Sequence, residues 1–106
     1  MTVTQPLVDV HVHFQHAASG RADWRESNDA RLACGERLGI TLHIASILGS
    51  WGRTSPTYFP SPDDVTAGNA AMRAIEAEHP GRVRSYTTVN PNFTAHAVRG
   101  AWAESA

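Results

Sequence analysis

From Leu7 to Phe14 the chain reads Leu-Val-Asp-Val-His-Val-His-Phe, with apolar and polar positions in alternation. Val8, Val10 and Val12 share one side of an extended chain; Asp9, His11 and His13 share the other. This period predicts a β-strand over Leu7–His13, valines toward a covering helix. A helix is expected over Asn28–Leu38, capped by Ser27 or Asn28 and ended by Gly39, with a thin stripe of Ala30, Ala33, Cys34 and Leu38. Ile40–Ile47 reads as a second strand. Its greasier positions, Ile40, Leu42 and Ile44, are assigned to the helix side, and Thr41, His43, Ala45 and Ile47 to the side of His11 and His13. Ser61, Pro62, Asp63 and Asp64 open a second helix, with Ser61 as N-cap and the two carboxylates at the positive end of its dipole. Val65, Gly68, Met72, Ile75 and His79 recur at helical spacing, Ala71 beside them, until Pro80-Gly81. A third strand is expected over Val83–Val89. Asn90-Pro91-Asn92 then turns the chain, and Thr94 suits the cap of a third helix.

Strand and helix alternate, so the strands should be parallel and adjacent in chain order. The helix-to-strand connections are short. The stretches after the first two strands are long, rich in Gly, Pro, Arg and aromatic residues, against a usual length of about 2–6 residues. All loops that follow strands lie at one end of a parallel sheet, where active sites collect.

Two imidazoles two positions apart on one strand face can converge on a single metal ion, with Zn–N near 2.0–2.1 Å. A bare His-x-His pair is most often incidental; Asp9 and the following βα pattern sharpen it. Asp9 suits the orientation of a ligand, and equally a buried structural carboxylate. A divalent metal held by neutral imidazoles activates water or polarises a substrate oxygen.

Asp9-Val10-His11-Val12-His13-Phe14 resembles the first-strand motif of the amidohydrolase superfamily, most closely the branch containing aminocarboxymuconate-semialdehyde decarboxylase. Leu38-Gly39-Ile40-Thr41, His79-Pro80-Gly81-Arg82-Val83 and Val89-Asn90-Pro91-Asn92 extend the likeness, and Asn69 resembles an asparagine of that family's helix. The resemblance implies a metal-dependent hydrolase or decarboxylase on a (β/α)8 barrel, with His11 and His13 as metal ligands. Zinc is the expected ion, with manganese or another divalent ion as alternatives. Such a barrel needs about 200 residues or more. The 106 residues here would supply the N-terminal three βα units, one partial domain over 1–106 whose parallel sheet forms an open arc. Further His ligands, and an Asp serving as ligand or base, would come from later strands, so the chain alone is expected to be inactive.

Other residues are candidates from position. His16 lies just past the pair. Trp51 and Arg53 lie in the second long loop, with Arg21, Arg25 and Trp24 in the first. Arg can grip a carboxylated small-molecule substrate with paired hydrogen bonds, although solvated arginines are commoner. A net charge of −1 offers no electrostatic case for nucleic acid. No apolar run approaches a membrane span, and no signal-peptide layout opens the chain. The single Cys34 precludes an internal disulfide, fits a reducing cytoplasm, and reads as a small packing residue. A homo-oligomer of the whole enzyme is compatible with all of this. Two alternatives stand beside the amidohydrolase reading. One is a histidinol-phosphatase-like phosphoesterase, whose motif departs at Phe14 and at Ser46-Ile47-Leu48; the other is a non-enzymatic α/β binding module.

Overall fold

The computed structural model describes residues 5–17, 21–47 and 61–90. They form β1 (Leu7–Phe14), α1 (Trp24–Arg37), β2 (Ile40–Ile47), α2 (Pro62–Glu78) and β3 (Val83–Ser85). The three strands make one parallel sheet in the order β1-β2-β3. The fold is therefore α/β, as the alternation predicts. The expected third helix and the loop over 48–60 lie outside the described residues.

The start of α2 follows its sequence signature. The Ser61 hydroxyl accepts the Asp64 N–H, and the Asp64 carboxylate accepts the Ser61 N–H, each at 3.1 Å. This reciprocal cap satisfies two donors that the first turn would leave orphaned. Val65, Gly68, Met72 and Ile75 are buried, as their spacing predicts, and so is Asn69.

The first helix differs from expectation. It starts at Trp24, with Asp23 as N-cap, and Ser27 already donates its N–H to the Asp23 carbonyl at 2.9 Å. Its buried residues are Asn28, Leu32 and Gly35, spaced four and three apart as one helix face requires. Ala30, Ala33 and Cys34 are exposed, and Leu38 is 65% exposed. Cys34 is thus a surface thiol, not a packing residue. Apolar periodicity does not reveal this stripe because two of its three members, Asn28 and Gly35, are not apolar. Gly39 ends the helix as expected, in the left-handed region at φ 81°.

The faces of β2 are also reversed. His43, Ala45 and Ile47 are buried, whereas Ile40, Leu42 and Ile44 are half-buried on the opposite side. His43 packs on α1 so closely that a Cβ on Gly35 would lie 2.6 Å from its Cε1. The small residues Gly35 and Ala45 let the helix approach here, and close approach outweighs the greater apolar bulk of Leu42 and Ile44. His43 accordingly belongs to the helix side, away from His11 and His13. One core joins both helices to that side: Val12, Phe14, Leu32, Ala45, Ile47, Met72, Ile75 and Val83. β3 is shorter than the predicted Val83–Val89; residues 86–90 form no regular element.

Side chains from the helices hold the chain where it leaves β1 and β3. The Asn28 amide accepts the Gln15 N–H and donates to the Gln15 carbonyl, both at 2.9 Å. The Asn69 amide does the same for Thr88, again at 2.9 Å on each arm. Glu76 accepts the Ser85 N–H at 2.9 Å and the Ser85 hydroxyl. Tyr86 donates its N–H to the Ala45 carbonyl in β2. The Ser85 N–H, one residue earlier, faces the outer edge of β3, and Glu76 covers it.

These clamps generate a stability prediction. Asn28→Ala should cost about 2 kcal/mol in urea unfolding, because the buried Gln15 N–H and C=O lose their partners, and Asn69→Ala about 1 kcal/mol, because those of Thr88 are part-buried. Losses below roughly 0.5 kcal/mol for both, the range of ordinary surface changes, would show that the clamps do not secure the strand exits.

Candidate metal centre

The site begins with a miscount between two strands. Asp9 pairs with His43 and Val12 with Ala45, so three steps along β1 match two along β2. Between Asp9 and Val12, β1 therefore carries one extra residue, a β-bulge at Val10 and His11, opposite in sense to the shift between Leu7 and Val8, where β2 carries the extra one. A bulge drops backbone groups from the ladder and re-aims the side chains beside it. It also breaks the simple parity of the strand. Asp9 lies in register with His43 and lines a groove with Arg31, Cys34, Gly35 and Leu38 of the α1 side. Asp9 thus does not share the face of His11 and His13, contrary to strict alternation.

Both polar groups of the bulged Val10–His11 peptide are taken by side chains. The His11 N–H donates to the Asp9 carboxylate at 3.1 Å. The Val10 carbonyl accepts the Tyr86 hydroxyl at 3.0 Å. Asp9 hence touches His11 through its backbone rather than its ring.

The two imidazoles stand edge to face with ring centroids 4.8 Å apart. Their Nε2 atoms are 3.0 Å apart. Two ligands at about 2.0–2.1 Å from one ion subtend that separation at an angle a little above 90°. The donor set therefore fits two positions of a divalent metal such as zinc, which takes neutral imidazole nitrogen. Without a cation, the same separation is a hydrogen bond from one Nε2–H to the other lone pair. The Nδ1 atom of His13 lies 3.0 Å from the Ser46 hydroxyl. With Nδ1–H donating to Ser46, the Nε2 lone pair of His13 faces the shared point. Ser46 pairs in register with His13 across the sheet. Sequence reasoning missed it because its face of β2 had been assigned to the helices; the true register is the signal that finds it.

The remaining candidates are scattered. His16 is 7% exposed, and its Nε2 has no hydrogen-bond partner. Among the described residues no group of three or more His, Cys, Asp or Glu side chains is placed to hold one ion, so His16 does not join the pair. Arg21 bonds Asp23 at 2.7 Å. Arg25 lies 4.3 Å over the Trp24 ring and reaches Glu78 at 3.4 Å. These contacts are exposed links at the start of α1, not a substrate grip. Trp51 and Arg53 lie outside the described residues.

Burial lowers the pKa of both His16 and His43. For His43, the Asp9 carboxylate raises it in partial opposition, and Arg82 lowers it further. Its Nδ1, like the His16 Nε2, is buried without a partner. The folded state thus favours both rings neutral, while the unfolded chain takes up protons near about pH 6.5. Stability from these groups is complete above that pH and falls as pH drops below it toward the folded values. The urea midpoint should therefore decline between about pH 7.5 and 5.5, and His43→Gln should flatten the decline. Equal slopes in wild type and His43→Gln would contradict this role for His43.

No helix among the described residues is long and apolar enough to cross a membrane. Compared with models of protein families, with curated proteins and with solved structures, the chain shows no match.

Proposed function

We propose that this chain is the N-terminal part of a metal-dependent hydrolase or decarboxylase of amidohydrolase type, acting on a small carboxylated substrate. The observation that carries this reading is the 3.0 Å approach of the His11 and His13 Nε2 atoms near the C-terminal end of a parallel strand. The three strands are read as the first of a (β/α)8 barrel, with the face of the sheet opposite the helices as its interior. Leu42 and Ile44 on that face suit the branched side chains that fill such barrels.

Each residue has a stated task. His11 and His13 hold the metal, zinc in the first instance and manganese as the alternative. Bound there, a divalent ion would supply Lewis acidity and the activation of water. Ser46 keeps the His13 lone pair directed at the site, and Asp9 holds His11 through its backbone N–H. Arg53 is assigned the substrate carboxylate, with Trp51 and His16 beside the substrate. The further metal ligands and the catalytic base are assigned to later strands of the whole enzyme. That enzyme is read as cytoplasmic, with no nucleic-acid or membrane partner.

Zinc titration of the chain tests the reading. One zinc should bind per chain, shifting the resonances of both rings, and His11→Ala or His13→Ala should abolish the shared site. Ser46→Ala should weaken binding by about tenfold, the low end for losing a partner of a metal-bound histidine. In the whole enzyme either His variant should lose most turnover, whereas Arg53→Ala should chiefly raise KM. Zinc binding to this chain that survives in both His variants, or a whole enzyme that keeps its metal and its turnover without His11 and His13, would refute the assignment.

A further inference from the structure

Tyr86 has no part in the reading above, yet it touches the backbone of the candidate site from two strands away. It follows β3, and its N–H sits in the ladder to Ala45. Its hydroxyl ends on Val10 of β1. Adjacent strands are about 4.8 Å apart, so the phenol spans the whole width of β2. The helix side of β2 is filled by the core, which leaves the open side, where His11 and His13 stand. The side chain remains 48% exposed, so burial alone does not account for this path.

The acceptor explains it. Val10 C=O and His11 N–H belong to one peptide group, the one excluded from the ladder by the extra residue of β1. Asp9 takes the N–H and Tyr86 takes the C=O. The peptide is thereby held from both ends, and its plane sets the direction in which His11 leaves the strand. The base of the clamp is itself fixed: Glu76 holds Ser85 and Asn69 holds Thr88 on either side of Tyr86.

We propose that Tyr86 is a positioning residue for the His11–His13 pair, its hydroxyl fixing the bulged peptide that aims His11 at His13. This rests on the reading of the pair as metal ligands. Removing the hydroxyl leaves the Val10 carbonyl to water and frees the peptide to rotate. A relaxed bulge moves His11 relative to His13, since one residue of slip turns a side chain to the other face. The ring of Tyr86 does not reach a reacting atom in this scheme; it acts only through the peptide.

The test compares wild type, Tyr86→Phe and His11→Ala, each at a temperature where the protein is folded, by zinc titration with NMR of the imidazole Hε1 signals. Tyr86→Phe should bind zinc about tenfold more weakly, within the range for supports of a ligand, with both rings still shifting at saturation. Its His11 amide should also exchange with solvent faster than in wild type, while the Ser85 amide is unchanged. Wild type alone should give a through-space contact between the Tyr86 ring and Val10 or His11, which keeps the proposal testable whatever the variant's stability. Zinc affinity within twofold of wild type in Tyr86→Phe would overturn the role of Tyr86 and leave the metal pair standing. Absence of zinc shifts at both rings of wild type would overturn the metal reading, and this proposal with it.

Discussion

The extra residue that β1 carries between Asp9 and Val12 governs how this chain presents its polar side chains. Without it, Asp9, His11 and His13 would line a single face, and Asp9 would stand beside the imidazoles. With it, Asp9 turns to the helix side in register with His43, and His11 and His13 stay on the open side. The carboxylate still serves the pair, through the His11 N–H. Bulges of this kind are common beside functional sites because they re-aim one residue at small structural cost. Here the cost is a peptide group outside the ladder, and Asp9 and Tyr86 offset it with a hydrogen bond at each end.

The same physical rule operates along the C-terminal ends of the strands. Backbone groups that leave a ladder need partners. In this chain those partners are side chains on the helices: buried Asn28 for Gln15 and Asn69 for Thr88, and half-buried Glu76 for Ser85. The helices therefore do more than cover the sheet. They fix the chain where it leaves β1 and β3. Fixed exits from β1 and β3 suit the proposed metal pair, because a ligand displaced by a fraction of an ångström loses its place in the coordination sphere.

Much of the framework was legible in the sequence. Ser61, Pro62 and Asp64 mark the start of α2 by chemistry that acts within one turn, and the parallel order of the strands follows from their alternation with helices. The failures share a cause, since each depends on a partner distant in sequence. Alternation along β1 cannot reveal a miscount against β2. The apolar bulk of Ile40, Leu42 and Ile44 pointed them at the helices, but Gly35 admits the His43 ring there instead. Asn28 resembled a cap and is a buried clamp on Gln15. Ser46 and Tyr86 carry no local signal at all, and only the register of β2 and β3 brings them to the pair. That His11 and His13 lie on one side follows from period two alone, because the extra residue falls no later than His11.

The account depends on His11 and His13 meeting at one point. Diffraction from crystals grown with zinc, with data on both sides of the zinc absorption edge, tests this most directly. The account predicts one anomalous peak at about 2.0–2.1 Å from both Nε2 atoms, with Ser46 on the Nδ1 of His13 and the Val10–His11 peptide still bulged. A peak bound to one ring only, or zinc elsewhere on the chain with the two rings turned apart, would contradict it.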